Sequence, residues 1–169
     1  MSDKPRRIYS DDGSAFAVWG NIMIGYFRDL ATPTRMRAFR LAQKELTKHP
    51  DPVGCLVINT FTEGSKPELS EELRTEIVAA MSSYANRDAA VAVTVEGQGF
   101  LDAIVRTFIA GTVLMARPKY PVKIFGARGE AANWLVKSVD RGHGAVTSIG
   151  LLTAADETIA LCRPTSAQP

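Results

Sequence analysis

Two hydrophobic periods alternate along this chain. Residues 15–19 are apolar, Gly20-Asn21 is a two-residue hairpin signal, and residues 22–27 resume a strand pattern, which predicts an N-terminal antiparallel ribbon. Thr32-Pro33 then reads as an N-cap with proline at the first helical position. A first helix over 33–48, with Met36, Phe39 and Leu46 on one face, is stopped by His49-Pro50-Asp51-Pro52. Residues 53–59 (VGCLVIN) form the continuous apolar run that a central parallel strand requires.

A polar loop follows, and the second helix has two candidate starts. Ser65-Lys-Pro-Glu68 reads as a capping box, whereas Ser70-Glu-Glu places carboxylates at a helix N-terminus. With either start, Leu73, Ile77, Ala80, Met81 and Tyr84 make one buried stripe. Residues 89–95 (AAVAVTV) predict a second buried strand, and Glu96-Gly97-Gln98-Gly99 a turn. A third helix spans 100–117, a short strand 122–125, and a fourth helix 128–139 ends at Gly142 and Gly144. Strand–helix–strand repetition needs crossover connections and so a largely parallel sheet. The expected fold class is α/β: an N-terminal hairpin followed by βα repeats, with a mostly parallel sheet of four to five strands and about four helices. Residues 1–14 are expected to be flexible and 15–141 to form the domain. Within the C-terminal extension, 142–169, residues 145–152 read as an edge strand, or Leu151, Ala155, Ile159 and Cys162 as a short helix capped by Thr153. Residues 163–169 read as a disordered tail.

Composition adds bounds. A content of 46% apolar and 22% charged residues in 169 suits one globular domain. The net charge of +2 gives no global field that would argue for a nucleic-acid or anionic-membrane partner, and no nucleic-acid partner is expected. The charged N-terminus, with no apolar segment behind it, is unlike a secretory signal. Cys55 in a strand-like run and Cys162 near the end have no disulfide or metal spacing, and read as reduced thiols of a cytoplasmic protein.

Few segments suggest chemistry. Gly97-x-Gly99 lacks the third glycine of a dinucleotide fingerprint and the Gly-Lys-Ser/Thr of a P-loop. His49 precedes a proline and His143 lies between glycines, with no metal-ligand spacing and no Gly-x-Ser-x-Gly elbow. No cofactor and no metal are therefore expected, and no residue is assigned a catalytic role. The third helix is apolar nearly all round, but it is short for a membrane span, and Asp102 and Arg106 can pair across one turn. Burial in the domain, cover by the C-terminal segment, or a second copy of the chain would account for it. Phe100, Ile104, Phe108 and Val113 are its candidate dimer or cavity-lining residues. The first helix carries Arg35, Arg37, Arg40, Lys44 and Lys48, and the second Glu68, Glu71, Glu72 and Glu76. These read as solvated faces, or as oppositely charged surfaces for docking a protein.

The GNIMIGYFRD ribbon, VGCLVIN before the loop, AVAVTVEGQGF at the strand-to-third-helix turn, and PVKIFGARGEAANWL resemble the STAS domain of anti-sigma-factor antagonists. The likeness is to the SpoIIAA-like branch related to Sec14 lipid-binding domains, and it covers roughly residues 15–139. Glu130, Ala131, Trp134 and Leu135 stand where that branch has its closing EA-x-x-WL. The resemblance implies a non-enzymatic regulatory or scaffold module that binds a protein partner in a bacterial cytoplasm. In partner-switching relatives a kinase phosphorylates a hydroxyl that follows an aspartate in the loop after the central strand. Here that loop reads Asn59-Thr60-Phe61-Thr62-Glu63-Gly64-Ser65, with hydroxyls at Thr60, Thr62 and Ser65 but no preceding aspartate. Ser65, expected at a helix N-terminus, is the candidate phosphorylation site. Arg37, Arg40, Lys44, Thr60, Thr62 and Ser65 are the candidate partner-binding residues. The alternatives are an apolar ligand or lipid in a cavity of a few hundred Å³ beside the third helix, and an unrecognised enzyme.

Overall fold

Among the described residues of the computed structural model (4–62, 64–97, 99–140 and 146–162) one sheet of six strands assembles in chain order. The strands are β1 (Arg6–Ser10), β2 (Ser14–Trp19), β3 (Ile22–Arg28), β4 (Val53–Thr60), β5 (Ala89–Glu96) and β6 (Val122–Phe125). The ribbon β1–β2–β3 is antiparallel, and β3 to β6 run parallel. Gly20, at φ 59°, turns the chain between β2 and β3. The two β-branched runs lie side by side at the centre, with Val53 against Ala89 and Thr60 against Glu96.

Five helices cover the sheet: α1 (Pro33–Gln43), α2 (Glu71–Ser82), α3 (Phe100–Ala116), α4 (Arg128–Val139) and α5 (Ser148–Ala160). Thr32 caps α1 by accepting the Arg35 amide, and Ser70 caps α2 by accepting that of Leu73. The Ser70 start is therefore the one used, with Glu71 and Glu72 in the first turn, where the helix dipole favours carboxylates. The end of α1 tightens into a 3₁₀ turn, Lys44–Leu46, instead of running to residue 48, because a residue preceding proline is pushed out of the helical region.

Successive crossovers all step toward the same sheet edge, so α1, α2 and α3 share one face while α4 and α5 take the other. Phe16, Phe27, Phe39, Val53, Cys55, Val91, Val93, Leu73, Tyr84, Val105 and Phe108 fill the first layer. Trp19, Ile22, Ile24, Leu56, Ile58, Ala92, Leu135, Leu151 and Ala155 fill the second. Both sides of β4 and β5 are thus buried, which is why their sequences are continuously apolar.

Two expectations change at the termini. The segment expected to be flexible, 1–14, contains β1, whose Tyr9 stacks on Phe16 with ring centroids 5.1 Å apart. Charged residues at Arg6 and Arg7 suit an edge strand, with one side open to water, and they disguised it in the sequence. Residues 148–152, expected in an edge strand or a helix capped by Thr153, open α5, and its cap is Thr147. Gly150 lies against the Trp19 ring, where a Cβ would come within 2.8 Å. With β1 and α5 added, the described residues form six strands rather than four or five, and five α-helices rather than about four. The tail 163–169, Gly142, Gly144 and His143 lie outside the described residues.

Candidate functional site

The parallel strands deliver their C-terminal ends to one edge of the sheet, and the β1–β2 turn reaches the same edge because Ser14 pairs with Phe27. Ligands of open α/β sheets bind outside the carboxyl ends of the strands. Just past β3 the backbone turns left-handed at two successive residues, Asp29 (φ 60°) and Leu30 (φ 74°). Aspartate tolerates this region, but in leucine it costs ~1–2 kcal/mol. The cost is met by burial, since the Leu30 side chain is only 4% exposed. The turn holds Asp29 against the loop after β4. Its amide donates to the Thr60 carbonyl at 2.7 Å, and its Oδ1 accepts the amide and the hydroxyl of Thr62, each at 2.8 Å. Burial opposes ionisation of Asp29, but the two Thr62 bonds, the nearby Ser65 hydroxyl and Arg28 outweigh it, so the carboxyl sits below its ordinary range.

The rest of the edge is an ion-paired rim. Asp11 accepts from the Gly13 amide, the Ser14 amide and hydroxyl, the Tyr9 hydroxyl and Arg35 Nε. Tyr26 and Thr60 share a hydroxyl–hydroxyl bond of 3.0 Å. At the end of β5, Arg128 bridges Glu96 (2.8 Å) and Asp156 (2.8 Å), tying α4 and α5 to the strand. Burial raises the Glu96 carboxyl above its usual value, with Arg128 and Thr94 opposing. Arg106 pairs with Asp102 at 3.0 Å and donates to the Val95 carbonyl.

The sequence-predicted residues separate into three groups. Arg37 contacts Glu72 (3.2 Å) and Glu76 (3.0 Å), and Arg40 contacts Glu76 (3.6 Å), so the opposite charges of α1 and α2 meet each other within the chain. The two charged faces, expected to be solvated or to dock a protein, are thus partly paired with each other. Lys44 is exposed. Thr60, Thr62 and Ser65 do gather at the edge, but Ser65 is not at a helix N-terminus. It precedes the Ser70 cap, its amide donates to the Thr62 carbonyl at 3.1 Å, and its hydroxyl is buried. Phe100 and Ile104 are 82% and 37% exposed, whereas Phe108 is buried and Val113 packs against the core, so the two pairs face opposite ways.

Asp29 was missed, because nothing in the sequence marks a pairing across the sheet. Leu114 and Met115, also missed, continue the outward stripe of α3 at the helical spacing from Phe100.

The apolar interior space is small. The apolar space beneath α1 and α2, lined by Phe39, Gln43, Asn59, Val93, Met81 and Tyr120 among others, holds about 60 Å³. That is room for a few waters, far short of the few hundred Å³ expected for an apolar ligand. A polar hollow of about 510 Å³ lies at the opposite end of the strands, where Arg87 donates to the carbonyls of Thr47, His49 and Asp51. Among the described residues no group of three His, Cys, Asp or Glu converges on a metal-sized site, and no helix is long and apolar enough to cross a membrane. Cys55 and Cys162 are buried and unpaired, and burial pushes the Cys55 thiol far up. No protein-family model, curated protein or solved structure matches the chain.

Proposed function

We propose that the chain is a STAS-like regulatory module that works by binding another protein through the loop between β4 and α2. The carrying observation is the double bond from Thr62 to Asp29. It pins the start of an otherwise irregular, polar segment at the ligand-prone edge of the sheet. It also brings an aspartate to a loop hydroxyl that lacks one in sequence. Ion pairs of Arg35, Arg106 and Arg128 line the same edge beside the loop, and every side chain they already hold is one that a partner need not order on docking.

The same geometry moves the candidate switch from Ser65 to Thr62. The Thr62 side chain is exposed and within a kinase's reach, while the Ser65 hydroxyl is buried. A phosphoryl group on Thr62 would set a second negative charge against the Asp29 carboxylate and break the clamp, changing the docking loop's shape and charge together. The small interior cavity supports a protein partner over a lipid one.

The test is quantitative affinity capture from the native cell lysate, using the wild type, Thr62→Glu and Asp29→Asn. One protein should be recovered in near-stoichiometric amount by the wild type and lost with Thr62→Glu, whose circular dichroism stays native. Cross-links from that protein should map to residues 60–70. Equal recovery by all three forms, or cross-links only to other faces, overturns the proposal.

A further inference from the structure

The outward face of α3 is an exposed apolar strip, as large as the largest patch a typical monomer carries, and such patches often mark interaction sites. Phe100, Leu114 and Met115 are 82%, 76% and 63% exposed, and Ala103, Thr107 and Ala110 lie exposed between them. No charged residue interrupts this strip. α5, the described C-terminal helix, packs on the opposite face of the sheet and does not cover it. We infer that the strip is a homodimer interface in which two copies of α3 pack antiparallel about a two-fold axis at Thr107. The inference stands apart from the docking-loop proposal.

The face fits itself. Turned end over end about Thr107, Phe100 of one copy meets Leu114 of the other, and Ile104 meets Ala110 and Gly111. Each large side chain thus faces a small one or an apolar mate, and every contact occurs twice, as a two-fold interface demands. The small residues at the centre allow backbones to approach to ~8 Å. The Thr107 hydroxyl already donates to the Ala103 carbonyl at 2.8 Å, so it brings no unsatisfied donor to the axis.

The borders are polar, as interface rims are. On the α2 side the Arg74 guanidinium lies 4.6 Å over the Phe108 ring and contacts the Met115 sulfur at 3.6 Å. On the other side stands the Asp102–Arg106 pair. Roughly 600 Å² of strip per copy, if fully covered, gives about 1,200 Å² in total, at the lower edge of specific interfaces, so a weak, concentration-dependent dimer is expected. Antiparallel helix dipoles add a small favourable contribution.

Sedimentation equilibrium of the full chain over micromolar to millimolar concentration reads this directly. The expected result is a mass rising from 18.3 kDa to twice that value. Leu114→Glu should hold the protein monomeric with native circular dichroism, while Leu41→Glu, on the exposed face of α1, leaves the association unchanged. Thr107→Cys should cross-link to its own copy under mild oxidation, because the native cysteines are buried. A protein monomeric at every concentration, or a dimer that survives Leu114→Glu and gives no Thr107→Cys cross-link, overturns the inference.

Discussion

Asp29 and Thr62 stand 33 residues apart in sequence, yet one carboxylate oxygen takes both the amide and the hydroxyl of the threonine at 2.8 Å. The aspartate can do this because it sits in the left-handed region, with the buried Leu30 beyond it anchoring the turn. Thr62→Val removes the hydroxyl bond and keeps the amide bond, and should cost about 1 kcal/mol in urea unfolding. Asp29→Asn keeps a side chain that tolerates the backbone but loses the charge, and should cost a similar amount. Unchanged midpoints for both would show that the clamp does not form in solution.

Reversal of charge at Arg37 should damage the fold before it touches any partner. Arg37→Glu alone places three carboxylates together at the α1–α2 seam, and Glu76→Arg alone gathers arginines there. Each should lower Tm. The double exchange should recover much of the loss, and added salt should shrink all three differences. Strictly additive single effects would show that the seam carries no coupling.

Acid should weaken the β1–β2 turn late and gradually. Burial opposes ionisation of Asp11, but the Gly13 amide, Tyr9, Arg35 and Ser14 prevail and hold it at about 2. The unfolded chain takes up its proton near pH 4. The stabilisation is therefore complete above that point and drains away as pH falls toward 2. For a side chain 27% exposed it amounts to ~1–2 kcal/mol after allowance for solvent screening. Asp11→Asn should flatten the stability profile between pH 4 and 2; a parallel profile, merely lowered, would refute the assignment.

Gly25 in β3 is a packing requirement. A Cβ there would lie 2.5 Å from Phe39 Cε2, inside a cluster where Phe16, Phe27 and Phe39 rings sit 5.2–5.7 Å apart. Gly25→Ala should destabilise by ~1–3 kcal/mol through overpacking. Phe39→Leu in the same chain should cost less than it does alone, because the smaller side chain gives way to the new methyl. Thermal unfolding of the four forms measures this.

Much of the architecture was legible because it is written in local rules. Thr32 and Ser70 act on amides three residues away, His49-Pro50 stops α1 through the conformation before proline, and the apolar runs of β4 and β5 declare burial on both faces. β1 escaped because an edge strand need not look apolar, and α5 was ambiguous because short apolar segments suit either period.

The candidate site was legible only in part. The loop hydroxyls could be located, but Asp29 reaches Thr62, and Arg37 reaches Glu76, only after parallel pairing sets β3 beside β4 and brings α1 alongside α2. Period and capping act within a helical turn or a strand, so the amino-acid order alone determined the elements and their succession. Which charges cancel within the chain, which hydroxyl meets a carboxylate, and which side of α3 faces outward were decided by the tertiary structure, since these depend on distances between residues that only the assembled sheet makes short.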